Sequence, residues 1–234
     1  MASRPAVVAL FLCVTLSVAL NYAWADGYKE ELIAKYPFYN IATGSFAPVY
    51  PALAQQIVQD FDIKDGLCVD VGGGCGSLSM ALARITNLTI YMLDIDPTPV
   101  RLCNLLVDEA GLTGRVRAIE GDAQDMPFRD NFANLVVSRG SIFFWPDQLR
   151  GVLECYRILK PGGVAYIGGG FSRILDPAVR DPLAKQAAKQ HRSGGGGGWR
   201  PIAEDIVEKA KAAGIADIQF EREQYAGQWL TIRK

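Results

Sequence analysis

The 234-residue sequence predicts a single α/β domain: a mostly parallel sheet with helices on both faces and an antiparallel hairpin at the C-terminal end. Three observations predict it. From Gly66 onward, short apolar runs alternate with segments of helical periodicity, the order that parallel strands and crossover helices require. The first apolar run ends in closely spaced glycines, where a strand turns into a helix. The last stretch alternates apolar and polar residues on either side of Ala226-Gly227, as two strands joined by a tight turn do.

The elements follow in order. Residues 67–71 form a first apolar strand, and residues 78–85 a helix. A second strand spans 88–93 and a second helix 99–110, with Asp96 placed to cap it. The third and fourth strands are 116–120 and 133–138. Helical periodicity over 147–159 stops at Lys160-Pro161-Gly162-Gly163, a helix end followed by a turn. Residues 164–167 make the fifth strand, 201–213 an amphipathic helix closed by Gly214, and 218–223 with 228–233 the hairpin. Ahead of this core, residues 26–65 read as a helical cap rich in aromatics, among them Tyr28, Tyr36, Phe38, Tyr39, Phe46 and Tyr50.

Residues 1–25 differ in kind. Arg4, the uncharged apolar run 6–20 and Ala23-Trp24-Ala25 have the layout of a secretory signal peptide, with an N-terminal membrane anchor as the alternative. The expected location is therefore exported or membrane-anchored, against a cytoplasmic alternative.

Half of the residues are hydrophobic, 21% are charged and the formal net charge is −1. No stripe of lysine and arginine stands out, which argues against a nucleic-acid partner and for a small-molecule substrate. Five cysteines are present without a CxxC spacing, so neither a zinc site nor any other metal centre is expected. Cys68, Cys75, Cys103 and Cys155 read as buried free thiols. The sequence carries no signal for oligomeric state.

The most informative stretch is Val69-Asp70-Val71-Gly72-Gly73-Gly74-Cys75-Gly76. Gly72, Gly74 and Gly76 recur every second residue, so a ligand can approach the main chain with no Cβ in the way. A dinucleotide fingerprint places its third glycine where Ser77 stands, so this spacing suits a cofactor without a pyrophosphate at the bend. Asp94 closes the second strand, where a carboxylate can accept from ribose hydroxyls. Asp122 and Ala123 follow the third strand, where a carboxylate and a backbone N–H can hold adenine.

Four blocks now stand in order: VDVGGGCGSLSMALA, MLDIDPTPV, EGDAQDMPFRDNFANLVVS and RILKPGGVAYI. In these the chain resembles the class I S-adenosylmethionine-dependent methyltransferases, notably the small-molecule group of ubiquinone- and menaquinone-type enzymes, from Gly66 to Lys234. The resemblance implies a Rossmann-like fold with a seven-stranded sheet and S-adenosyl-L-methionine as cofactor. It implies that Asp70, Gly72, Gly74 and Gly76 face the methionine end, that Asp94 and Ile95 lie at the ribose, that Asp122 and Ala123 hold adenine, and that Ser138 lies beside the sulfonium. The stretch Arg139-Gly140-Ser141-Ile142-Phe143-Phe144-Trp145 departs from the family pattern, which often has a histidine near Phe144.

The implied activity is in-line transfer of a methyl group to a small molecule, which needs alignment and exclusion of water more than acid–base groups. No catalytic residue is assigned. Ser138, Phe144, Trp145 and His191, the sole histidine, are the candidates, and Phe143, Phe144, Trp145, Tyr39, Phe46 and Tyr50 are candidates for an aromatic wall around the sulfonium. His191 reads as a residue of a polar loop before Gly194–Gly198, itself read as a linker or lid hinge. Gly168-Gly169-Gly170 reads as a close-approach site or a flexible turn. Two other functions fit parts of the pattern: an exported, non-catalytic binding protein on a methyltransferase fold, and, further from it, an NAD-dependent oxidoreductase. Membrane association through the N-terminal segment stays open.

Overall fold

The computed structural model describes residues 26–192 and 200–234, with side chains to residue 188 and again from 200. The proposed leader and Gly194–Gly198 lie outside the described residues. Helix α1 covers residues 26–35, followed by α2 (Phe38–Thr43) and α3 (Val49–Phe61). The alternating core then runs β1 (Leu67–Val71), α4 (Ser77–Ile85), β2 (Thr89–Asp94), α5 (Pro97–Glu109), β3 (Val116–Glu120) and β4 (Ala133–Arg139). A 3-10 turn (Ile142–Phe144), α6 (Gln148–Ile158), β5 (Leu159–Gly170), α7 (Pro177–Arg192), α8 (Ile206–Ala212), β6 (Asp217–Glu223) and β7 (Gly227–Arg233) complete it.

The seven strands lie in the order β3-β2-β1-β4-β5-β7-β6. Strands β1 to β5 are parallel, and β7 is antiparallel to both β5 and β6. From β1 the chain winds to β2 and β3 on one side, then crosses to β4 and β5 on the other. The order therefore reverses between β1 and β4, and the crevice past their C-terminal ends is where such a sheet binds ligands.

Strand parity sorts the core into two layers. Val69, Val71, Val136, Ala165, Ile167, Leu230 and Ile232 pack with α6 and α8. Their neighbours Cys68, Leu135, Val137, Tyr166 and Trp229 pack with α3, α4 and α5 on the other face. Both faces are covered, which is why the strands read as apolar runs rather than alternating ones. Asp96 caps α5 as expected, accepting from Thr98 N at 2.8 Å with Pro97 in the first turn. Cys68, Cys75, Cys103 and Cys155 are buried free thiols, as expected.

Four local expectations are corrected. Strand β5 begins at Leu159 and runs through Gly170, so 160–163 is not a turn after a helix but an irregular strand start opposite the register shift between Ala133 and Leu135. For Gly168–Gly170 the flexible-turn alternative is corrected, since all three are strand paired with Gly227–Trp229. Helix α8 covers Ile206–Ala212 rather than 201–213. And His191 sits on the last turn of α7, not in a loop; that helix, continuous through Pro182, buries little beyond Ala184 among its described side chains and so lacks a clear apolar stripe. The His191 side chain lies outside the described residues.

The segment 26–65 is more than a cap. Val49, Leu53, Ala54 and Ile57 of α3 are buried, the last three in the same layer as α4. Buried Gln56 ties α3 to β5 and the segment that follows it: its amide donates to Tyr166 Oη at 3.2 Å and accepts from Ser172 Oγ and Arg173 N, both at 2.9 Å. No helix among the described residues is long and apolar enough to cross a membrane.

A Cβ at Gly168 would collide with the Gln228 carbonyl and one at Gly169 with the Phe143 ring. Because the first obstacle is backbone, Gly168→Ala is expected to destabilise the protein by about 2 kcal/mol or more. Chemical denaturation checks this, and an unchanged midpoint would contradict the packing.

Candidate functional site

A cavity of about 1060 Å³ opens at the C-terminal ends of the strands, the upper end of what small-molecule sites occupy. It has two chemically different halves.

The first half is acidic. Asp70, Gly72, Gly73, Asp94, Ile95, Asp96, Gly121, Asp122 and Ala123 line it, all from the ends of β1, β2 and β3. Gly72 takes φ +65°, and a Cβ there would strike Ser141. The bend is therefore possible only without a side chain. Asp70 is almost fully buried. Its Oδ2 accepts from Ser79 Oγ at 2.6 Å, while Oδ1 has no hydrogen-bond partner. Burial raises its pKa from an ordinary 3.8 to about 6, the Ser79 bonds holding it partly back. Asp94 accepts from Gly74 N at 3.0 Å and Asp96 N at 3.1 Å. Burial raises its pKa too, against the pull of those backbone donors. Asp122 accepts from Gln124 N at 2.9 Å. Each carboxylate keeps lone pairs unused.

The second half is aromatic and basic. Phe46, Tyr50, Phe143, Phe171 and Tyr225 line it together with Arg139, Lys185 and Arg222. Tyr36 and Phe38, from the start of the chain's described part, close the cavity over the glycine loop, the Tyr36 hydroxyl lying where a Gly74 Cβ would stand.

Of the residues singled out from sequence, Asp70, Gly72, Asp94, Ile95, Asp122, Ala123, Phe46, Tyr50, Phe143, Phe144 and Trp145 all line the cavity. Gly74 and Gly76 do not: they face the Tyr36 hydroxyl and the Cys103 sulfur, so their lack of a side chain serves packing. Nor does Tyr39, which packs beside Leu32 and Leu102. Ser138 is corrected as well. It is fully buried, and its Oγ pairs at 2.7 Å with Ser141 Oγ, the serine that does line the cavity. Parity explains the exchange: Ser138 shares the α6 face with Val136, and the next residue, Arg139, points to the α3 face. The aromatic wall is also corrected in part, because Phe46 and Tyr50 already face the Arg139 guanidinium. Sequence reasoning passed over Arg139, although a charge at the tip of an apolar strand is a usable signal. Tyr225 and Gln228 gave none, since only the antiparallel return of β7 beside β5 brings them here.

The Methyltransferase domain family matches residues 69–167. The chain is 38% identical over 174 residues to the chloroplastic 2-methyl-6-phytyl-1,4-hydroquinone methyltransferase of Arabidopsis thaliana, covering 70% of this chain and 44% of that one. It is 31% identical to YdaC of Bacillus subtilis, an uncharacterized methyltransferase, over 65% of this chain and 73% of the relative. A crystal structure from Methanococcus maripaludis, described as an S-adenosyl-L-methionine-dependent methyltransferase, superposes with a TM-score of 0.74 at 32% identity, over 88% of this chain and 93% of the other. The chain belongs to the class I S-adenosylmethionine-dependent methyltransferases. Its fold is the Rossmann-like fold of that family, and it spans less than half the length of the plant relative.

The raised pKa of Asp70 has a measurable sign. The unfolded chain ionises at the ordinary 3.8 while the folded carboxyl stays protonated to about 6, so stability present below 3.8 is lost as pH rises through 6. Asp70→Asn is expected to remove this part of the slope. Denaturant unfolding across that window checks it, and superimposable pH profiles would contradict it.

Proposed function

We propose that this chain transfers the methyl group of S-adenosyl-L-methionine to a small, lipophilic aromatic acceptor by in-line displacement. The observation that carries the reading is the acidic half of the cavity. Its polar side chains Asp70, Asp94, Asp96 and Asp122 are all hydrogen-bond acceptors, and one buried oxygen, Asp70 Oδ1, has no partner. Such a set fits a ligand rich in donors and positive charge, with an ammonium, ribose hydroxyls and a sulfonium. It repels the pyrophosphate of NAD.

In this reading Asp94 takes the ribose, Asp122 and the backbone of Ala123 take adenine with Ile95 against the ring, and Asp70 with the Gly72-Gly73 bend faces the amino-acid end. When bound, S-adenosylmethionine supplies a methyl carbon made electrophilic by its sulfonium. The protein's part is to align the acceptor with that carbon and keep water out. Phe143, Phe144 and Trp145 wall the junction of the two halves, and Tyr36 and Phe38 cover it. The acceptor class is supported by the second half's aromatic lining and by the names of relatives: the plant hydroquinone methyltransferase and, at 28% identity, a ubiquinone/menaquinone biosynthesis C-methyltransferase of Psychromonas ingrahamii. The room beyond the cofactor half favours an enzyme over a protein that only binds the cofactor. For residues 1–25 the proposal stays an export signal or membrane anchor, supported by the charge and apolar layout of that segment; mass spectrometry of the native N-terminus tests it.

Calorimetry with S-adenosylhomocysteine and NAD tests the assignment. Tight binding of the first alone is expected, and Asp94→Ala is expected to weaken it about 10–100-fold, the worth of hydrogen bonds to a charged group. Preference for NAD would overturn it. Labelled methyl transfer onto a set of hydroquinones then tests the acceptor class.

A further inference from the structure

We propose that Arg139 holds the methyl acceptor as an oxygen anion, a phenolate or carboxylate on an aromatic ring; this rests on the methyltransferase reading above. Arg139 ends β4, one residue past buried Ser138, and lines the aromatic half of the cavity. Its guanidinium carbon lies 5.2 Å from the Phe46 ring centroid, 4.9 Å from Tyr50 and 5.8 Å from Phe171. Nε donates to the Gly170 carbonyl at 3.0 Å and Nη1 to Tyr50 Oη at 3.3 Å. Nη2 donates to nothing among the described residues.

Arg157, Arg173 and Arg180 each meet a carboxylate: Glu154 and Asp130, Asp60, and Asp181. Arg115 meets no carboxylate but uses both Nε and Nη2 on the Leu88 and Thr86 carbonyls. Arg139 pairs with no carboxylate among the described residues, although its cavity holds several. Those carboxylates occupy the opposite half. A half-buried guanidinium fixed only by neutral groups costs desolvation energy that a bound anion would offset, and its open fork matches a carboxylate or phenolate oxygen.

The other titratable groups of this half are Tyr50 of α3, Lys185 of α7, Arg222 and Glu223 of β6, and Tyr225. Lysine and the two arginines outnumber the single carboxylate. Lys185 Nζ stands 5.6 Å from the Tyr225 ring. Burial raises the Tyr50 pKa, so its hydroxyl stays a neutral phenol. The side-chain oxygen of Gln228, buried without a partner, lines the same half and is available to a second hydroxyl of the acceptor.

This arrangement gives the acceptor its reactivity without a histidine. A cation beside an ionisable oxygen lowers its pKa, so more of the acceptor is nucleophilic at neutral pH. The acceptor's proton leaves to water. For a phenolate, the electron pair on oxygen, or on the ring carbon conjugated to it, then forms the bond to the methyl carbon as the carbon–sulfur bond breaks with its pair going to sulfur. After attack by carbon, that carbon's proton leaves to water and its C–H electron pair restores the aromatic ring. The anion's charge and the sulfonium's cancel. A carboxylate in the same place would orient the ring instead.

The probe is 4-nitrophenol, which ionises near neutral pH and is yellow only as its anion. It is titrated spectroscopically on the full chain with S-adenosylhomocysteine filling the other half. The bound probe is expected to ionise about one pH unit or more below the free one, a tenfold preference for the anion. R139Q is expected to abolish the shift while leaving S-adenosylhomocysteine affinity unchanged. R139K, which keeps the charge without the fork, is expected to retain part of it, and serves if R139Q does not fold. Benzoate, compared with benzamide, separates the two anions: competition by benzoate alone adds carboxylates to the ligands held, and no competition restricts the site to phenolates. If S-adenosylhomocysteine binds but the probe does not, or the probe ionises no more readily when bound, or R139Q keeps the shift, the Arg139 proposal is overturned. Failure of S-adenosylhomocysteine to bind overturns the underlying reading instead.

Discussion

The reversal of strand order between β1 and β4 is the constraint on which the rest of the molecule depends. Two parallel strands lie side by side there, yet the crossovers that follow them leave in opposite directions. Their C-terminal ends are therefore left uncovered, and the backbone groups and side chains at those ends face an opening rather than a helix. Asp70, the glycine bend and Asp94 enter the opening from one side of that divide, Arg139 and Ser141 from the other. The separation of an acidic half from a basic, aromatic half is a consequence of the winding.

Parity then decides which side chains reach the opening. On β4, Val136 and Ser138 share the α6 layer while Val137 and Arg139 point to α3. A one-residue difference thus separates a serine sealed behind the wall from an arginine ringed by aromatics. On β1 the same alternation puts Asp70 on the α4 side, where Ser79 meets one carboxylate oxygen and nothing meets the other. Burial at that place is what raises the pKa of Asp70, and shifted carboxylates of this kind cluster at functional sites.

Much of this was legible in the sequence, because the core repeats a simple period. Apolar runs marked the parallel strands, and acids at Asp94 and Asp122 marked two of their ends. What was not legible has physical reasons. Gly168–Gly170 read as a close-approach site or a flexible turn because glycine usually breaks strands; it is strand, and the missing side chains let β7 and the Phe143 ring come close. The end of helix α7, from Gln186, read as a polar loop because the helix packs only a small cluster with Val49 and Phe171 and otherwise lines the cavity, and so carries no full apolar stripe. Tyr36, Tyr225 and Gln228 lie far from the glycine motif in the chain and are delivered by tertiary packing alone. Ser138 was placed at the cavity by motif position, which carries no information about which way a side chain points.

In the proposed function the acidic half accepts the positively charged end of a nucleoside cofactor, with Asp70 as the buried carboxylate facing it. The most direct measurement is the pKa of Asp70 by carboxyl carbon-13 NMR, with and without S-adenosylhomocysteine. From about 6 in the free protein, it is predicted to fall by a unit or more, roughly tenfold in ionisation, once the ligand's ammonium lies beside it. A carboxyl that titrates at the same pH with the ligand bound, or at a higher one, would contradict the account.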